Sequence, residues 1–293
     1  MNIKHLSNKF IDKVKWDKKI NEADNGLVYA LSWYLDIVSP KWEALVSDDY
    51  EYIMPIPIKR KYKIPYLVQP SLSQQLGVFS AEPITKEIIL LFIKKLPSYS
   101  YQINLNYLNI LADAIKLPNY VLSVARPYED IINGFTKNTV RNIEKANKNN
   151  LNIVEDISTE HFIRFYESIN KKYNSIAIDS LKELINQGEK HNIFRKLFTL
   201  DENGNIIAAL VYTLFKNRLV FLIPISNEEG KLKSAMFYVV NHIIKTKAES
   251  DILLDFEGSA IEGIARFYKG FGAKNQPYYV IKRFRPSFLI GRI

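Results

Sequence analysis

Residues Asp251 to Ala273, DILLDFEGSAIEGIARFYKGFGA, constrain this chain more than any other stretch, because each transition in them has a local physical cause. Ile252, Leu253 and Leu254 form the short apolar run expected of a strand covered on both faces. Gly258 then offers a tight turn. Ser259 and Glu262 stand at the spacing of a capping box, in which hydroxyl and carboxylate each satisfy a backbone donor of the first helical turn. Ile261, Ile264, Ala265 and Tyr268 share one helical face, and Gly270 or Gly272 supplies a left-handed stop. The pattern predicts strand, turn and helix, and packing alone would account for it.

Read from the start, the chain predicts a helix over residues 8 to 22 with Phe10, Ile11, Val14 and Ile20 inward. A second helix follows with the aromatic stripe Tyr29, Trp33 and Tyr34, which suits a core. From Trp42 the pattern turns to strands: WEALV, YEYIMPIPI and IPYLVQP, an antiparallel meander whose basic turn holds Lys59, Arg60, Lys61 and Lys63. These four charges read as a solvated hairpin tip or as a phosphate contact. Gln74 and Gln75 lie inside an apolar strand, so they either brace the sheet or line a cleft. A helix over 85 to 95, a strand at YQINLNY and another over 119 to 126 complete the first half.

Past Pro127, the helix NTVRNIEKANKNN carries Val140, Ile143 and Ala146 on one side. Arg141, Lys145 and Lys148 form a basic stripe on another side, either a solvated face or an anion contact. The order after it is strand, two helices, three strands joined by short turns, a helix from Ser234 to Lys247, and then the opening element.

At 293 residues the chain suits two cores, and 47% apolar with 13% aromatic content is enough to build them. The formal charge of +9 favours anionic partners. Without cysteine there is no disulfide, thiolate nucleophile or cysteine metal site, and His5, His161, His191 and His242 stand in no metal-ligand spacing, so no metal is expected. MNIKHLSNKF lacks the apolar core of a signal peptide, and the apolar runs are too short for a transmembrane span. The expectation is a cytoplasmic protein for which peripheral membrane contact stays open.

Asp255-Phe256-Glu257-Gly258 followed by Phe267-Tyr268-Lys269-Gly270-Phe271-Gly272 resembles the C-terminal signature of the Fem-type peptidyltransferases, a branch of the GNAT acyltransferase superfamily. Gln74 to Phe79, QQLGVF, is similar to a segment of bacterial members, and the Arg141 helix to the one that opens their second domain. The resemblance implies an α/β (α+β) protein of two GNAT-like domains, each a mixed, mainly antiparallel central sheet flanked by helices. Residues 1–130 would form a degenerate N-terminal copy and residues 131–293 the C-terminal domain. The succession of elements after residue 136 agrees with that reading.

The resemblance also implies acyl or aminoacyl transfer to an amine of a cell-envelope, peptidoglycan-type precursor. No cofactor would be tightly bound, and aminoacyl-tRNA or acyl-coenzyme A would be the donor. Tyr268-Lys269 matches the family's aromatic-lysine pair, with Lys269 placed to stabilise charge during transfer, although a lysine there also suits the helix dipole. Asp255 and Glu257 are candidate bases, or capping and turn residues. Arg141, Lys145, Lys148, Gln74 and Gln75 are candidate substrate contacts. The loop that holds coenzyme A pyrophosphate in ordinary GNAT enzymes corresponds to Asn227 through Leu232, of which only Gly230 matches, and Glu228 and Glu229 would repel a pyrophosphate. Gly230, Lys231, Lys233 and Ser234 are the candidate anion-binding residues there. The rival readings are an acetyl-coenzyme A N-acetyltransferase and a non-catalytic anion- or nucleic-acid-binding module.

Overall fold

The run Ile206–Phe215, nearly all apolar, has no polar face to turn to water, and it forms a strand buried along almost its whole length. It pairs antiparallel with Phe194–Leu200 on one side and Arg218–Ser226 on the other. The computed structural model describes residues 1–97, 99–155, 157–169, 176–258 and 261–284. Its chain divides into two compact units, Met1–Leu117 with Pro277–Ile293, and Pro118–Gln276.

The three long strands are the middle of a seven-stranded sheet in the second unit. Its order is Lys274–Asn275, Tyr120–Ser123, Leu253–Asp255, Arg218–Ser226, Ile206–Phe215, Phe194–Leu200 and Asn152–Val154. Leu253–Asp255 runs parallel to Arg218–Ser226, and the other neighbours are antiparallel. Helices cover both faces. Leu197 and Leu210 share a core with Val239, Val240 and Ile243 of the helix Ala235–Lys247. Phe198, one residue along and therefore on the opposite face, meets Phe162 of the helix Thr159–Ile169 at 6.3 Å between ring centroids.

The first unit holds an antiparallel sheet of Ile3–Leu6, Glu43–Ser47 and Ile53–Ile56. A second sheet runs Ile58–Lys61, Ile64–Val68, Ser100–Leu105, Tyr278–Arg283, Ile115–Leu117, and only its Ile64–Val68 and Ser100–Leu105 pair is parallel. The helix Lys86–Lys95, capped by Thr85, packs Ile89 and Phe92 into a core with Leu45, Met54, Ile103 and Tyr279. Each unit is thus a mixed, mainly antiparallel arrangement with helices against it. The division differs from one at residues 130 and 131: Tyr120–Ser123 pairs inside the second unit's sheet, and Tyr278–Arg283 returns to the first.

The first long helix is Lys13–Glu22 rather than 8 to 22, because the Asp12 carboxylate accepts from the Lys15 amide and starts it there. Trp16 and Ile20 are buried, whereas Phe10 and Val14 are exposed. Among the described residues no helix is long and apolar enough to cross a membrane.

Candidate active site

The helix Glu262–Gly270 is fixed to the second unit by its aromatic residues. Tyr268 stacks on Phe256 with centroids 4.9 Å apart, and Phe267 meets Phe237 edge-on at 4.7 Å. Phe271 completes the cluster against Phe135. Gly272, at φ 78°, provides the left-handed stop, and its amide donates to the Lys269 carbonyl at 2.9 Å. The buried side is Ala265, Tyr268 and Phe271, while Ile261 and Ile264 are exposed. Ile261 occupies the N-cap position with no side-chain cap, and Ser259 of the expected capping box lies outside the described residues. In the preceding turn Glu257 adopts a left-handed conformation at φ 57°.

This helix docks closely on the basic helix Lys137–Asn147. The Thr136 amide donates to the Gly270 carbonyl at 2.9 Å. A Cβ on Gly270 would stand 2.4 Å from the Thr139 hydroxyl oxygen, so any side chain there would force the Thr139 hydroxyl to move. Between the two helices lies a groove of about 740 Å³, with Asn138, Thr139, Arg266 and Lys269 among its walls. Lys269 is exposed, and its Nζ lies 5.4 Å from the centroid of the Tyr120 ring. The neighbouring Tyr268 is buried. Burial first, and then the carboxylates of Glu257 and Asp255, push its phenol above the usual tyrosine range, so it stays a neutral hydroxyl at physiological pH.

A second recess of about 310 Å³ shares Phe237 and Phe267 with the groove. Gly230, Lys231 and Ser234 line it together with Asn142 and Ser226. Ser234 takes a left-handed φ of 59° ahead of the helix Ala235–Lys247, and its hydroxyl donates to Asn142 Oδ1 at 2.8 Å. The loop itself is a short helix, Glu228–Leu232, capped by Asn227. Its amides are used internally: Gly230 to Asn227 Oδ1, Lys231 to the Asn227 carbonyl, Lys233 to that of Glu229 and Ser234 to that of Lys231. Lys231 pairs with Glu228 at 2.6 Å, and Lys233 with Glu202 at 2.8 Å and Glu229 at 3.0 Å. Those two carboxylates hold the Lys233 ammonium above its ordinary pKa.

The remaining sequence-predicted residues sit elsewhere. Asp255 is 1% exposed, with one oxygen accepting from Arg218 Nε at 2.7 Å and the other from the Glu257 amide at 2.9 Å. Glu257 is half-buried. Arg141, Lys145 and Lys148 are exposed along the basic helix, and Arg141 donates to Asn138 Oδ1 at 3.0 Å. Gln74 and Gln75 belong to the first unit, where they brace backbone: Gln75 is buried, donates to Gln74 Oε1 and accepts from the Tyr107 amide, and the Gln74 carbonyl accepts from Asn104. The groove also uses Thr136, Thr139 and Arg266, which local pattern did not single out. Thr136 is the N-cap of its helix, a signal visible in sequence, but its bond to Gly270 spans the unit.

No family model and no curated protein matches the chain. Solved structures do. FemX aligns over 99% of this chain and 99% of its own, at 10% identity and a TM-score of 0.71. The fold is that of FemX. The L-PGS of Bacillus licheniformis aligns over 94% of this chain and 93% of its own, at 12% identity and a TM-score of 0.56. A conserved protein of unknown function from Bacteroides thetaiotaomicron covers 93% and 98%, at 11% identity and a TM-score of 0.57. FemX is therefore the reference for the architecture, and the expected α/β class with mixed, mainly antiparallel sheets flanked by helices is the one observed.

Proposed function

We propose that this chain is an acyltransferase of the Fem-like kind, moving an aminoacyl group from aminoacyl-tRNA to an amine of a peptidoglycan-type precursor on the cytoplasmic side. The observation that carries the reading is Lys269 on the wall of the 740 Å³ groove, on a fold shared with FemX. In the proposed reaction the acceptor amine attacks the donor's ester carbonyl. The Lys269 ammonium hydrogen-bonds the oxyanion that forms, the ester carbon–oxygen bond breaks, and the proton shed by the amine ends on the leaving hydroxyl. No dedicated base is assigned, because the Asp255 carboxylate is engaged by Arg218 and the Glu257 amide. Tyr268 supports the site by stacking and fixing the helix that presents Lys269.

Acyl-coenzyme A is the second donor considered. The amides of Gly230, Lys231, Lys233 and Ser234 are all bonded within the protein, and both lysines are paired with carboxylates. That disfavours a pyrophosphate held there in the GNAT manner and supports aminoacyl-tRNA. Arg141, Lys145 and Lys148 are proposed to attract the anionic donor or acceptor to the groove.

The test is label transfer from charged tRNA, or from acetyl-coenzyme A, to a nucleotide-linked muropeptide by the wild type and by Lys269→Met. With charged tRNA the variant is expected to be slower by about two to three orders of magnitude, comparable to losing one oxyanion donor. Its melting temperature should hold, since the aliphatic stem is largely kept. Unchanged turnover with a lowered melting point would overturn the assignment. Activity with acetyl-coenzyme A alone identifies an N-acetyltransferase, and binding without transfer in either arm identifies a binding module.

A further inference from the structure

The basic turn noted in the sequence is a hairpin at the edge of the first unit's five-stranded sheet. Ile58–Lys61 pairs with Ile64–Val68 in the register Ile58 to Leu67 and Lys61 to Ile64, leaving Tyr62 and Lys63 as a two-residue turn. Both turn residues have positive φ, 51° and 67°. Such turns ordinarily take Asn and Gly, for which that conformation costs little. Here an aromatic residue and a lysine occupy it, and Arg60 closes the turn by donating to the Lys63 carbonyl at 3.4 Å.

The side chains so presented are of two kinds. Lys59, Arg60, Lys61 and Lys63 are all exposed, and among the described residues none of them is in an ion pair. The sequence has no Asp or Glu from Tyr52 to Ala81, so the four charges stand in a field of one sign. Between them Tyr62 is 88% exposed and Ile64 is 69% exposed. The Lys61 ammonium lies 6.0 Å from the Tyr62 ring centroid. An aromatic and an aliphatic residue left in water at the tip of a narrow ribbon, ringed by cations, match the composition that seats a protein in an anionic lipid interface. There the apolar groups enter the headgroup boundary while ammonium and guanidinium groups meet phosphates.

We infer that this hairpin docks the protein on the surface of an anionic phospholipid bilayer, with Tyr62 and Ile64 inserted and Lys59, Arg60, Lys61 and Lys63 against the headgroups. A nucleic acid also offers phosphates, but a single strand is bound in a groove that tracks its backbone, whereas this is a convex tip. An exposed aliphatic such as Ile64 gains nothing from phosphate. The inference does not depend on the transferase reading, because its readout is lipid binding.

The experiment is co-sedimentation of the full chain with vesicles of phosphatidylcholine alone, or mixed equally with phosphatidylglycerol, at low and high salt. The wild type should sediment with the anionic vesicles at low salt and not with the neutral ones. Each basic residue strengthens partitioning by roughly fivefold, so replacing Lys59, Lys61 and Lys63 by Gln should weaken it about a hundredfold. Tyr62→Ser with Ile64→Ser should weaken it roughly tenfold or more while leaving the salt dependence in place. Both variants alter exposed tips, and an unchanged melting temperature confirms that they fold. Equal sedimentation with neutral vesicles, or wild-type sedimentation by both variants, would overturn the inference. So would variants that lose affinity for generic tRNA while keeping affinity for vesicles.

Discussion

Arg218 and Asp255 form a buried pair in the strands that lead toward the candidate site, at 2.7 Å, and Arg218 also donates to Gln276 at 2.7 Å. A buried pair of this kind contributes little net stability as a pair, because both ions lose hydration, but breaking it leaves one charge without compensation. Arg218→Met is therefore expected to destabilise the second unit by about 3–5 kcal/mol. Asp255→Asn, which retains an acceptor for the guanidinium, should cost less. Denaturant unfolding of both variants checks the order, and an equal loss in Asp255→Asn would show that a retained neutral acceptor does not substitute for the charge. The sequence reads Asp255 as the residue after the strand run Ile252 to Leu254, as a base or a capping and turn residue, whereas it is the strand's last residue. What the sequence could not display is the partner at a separation of 37 residues, since Arg218 reads locally as the polar first residue of an apolar strand. Lys269 was legible for the opposite reason: its neighbour Tyr268 lies on the buried face, so the next residue along a helix must turn away from the core.

The helix Lys137–Asn147 keeps its basic stripe in solvent, as its periodicity predicts, and buries Ile143 and Ala146, but Thr139 is buried with them while Val140, expected on that face, is exposed. Reversing Arg141, Lys145 and Lys148 together should leave the melting temperature within a degree or two, since exposed charges contribute about 0–1 kcal/mol each. If the stripe attracts an anionic substrate, the same variant should bind charged tRNA much more weakly, and equal affinity would retire that role. The helix Ala235–Lys247 makes a pH prediction. Partial burial of His242, reinforced by the Lys245 and Lys247 ammonium groups and opposed by Glu155, lowers its pKa from 6.5. The unfolded chain thus binds this proton more readily than the folded one. The stability involved is fully present above the unfolded pKa near 6.5 and is lost as pH falls through the lower folded value. His242→Gln should flatten the fall of melting temperature over that interval, and an unaltered slope would show that other groups control it. Helix existence was well marked in sequence, and helix faces less so. Ile261 and Ile264 have the spacing of an apolar face, yet the aromatic cluster of Phe237, Phe256 and Phe271 sets the rotation of their helix, and those residues come from three segments.

At the scale of the molecule, Tyr278–Arg283 lies between Ser100–Leu105 and Ile115–Leu117, pairing Tyr279 with Leu105 and with Lys116. Nothing local in YYVIKR indicates which strands it joins, because strand alternation specifies a face and not a neighbour. The same limit explains why Tyr120–Ser123 reads as the end of the first half although its partners are Leu253–Asp255 and Lys274–Asn275. The second unit is one continuous stretch of chain, whereas the first is assembled from two. A fragment of residues 118–276 retains all seven strands of its sheet and the core around Leu210, Phe221 and Phe256, so it should fold cooperatively by itself. A fragment of residues 1–117 lacks an interior strand of its larger sheet. It also lacks Tyr279, which packs with Ile103 and Leu105, and both neighbouring strands would be left with unpaired backbone donors and acceptors. That fragment should show no cooperative unfolding transition, and fusing residues 277–293 to its end through a flexible Gly/Ser linker should restore one. Calorimetry on the two fragments and the fusion decides the matter: a cooperative transition in 1–117 alone would mean that the returning strand is dispensable to the first core.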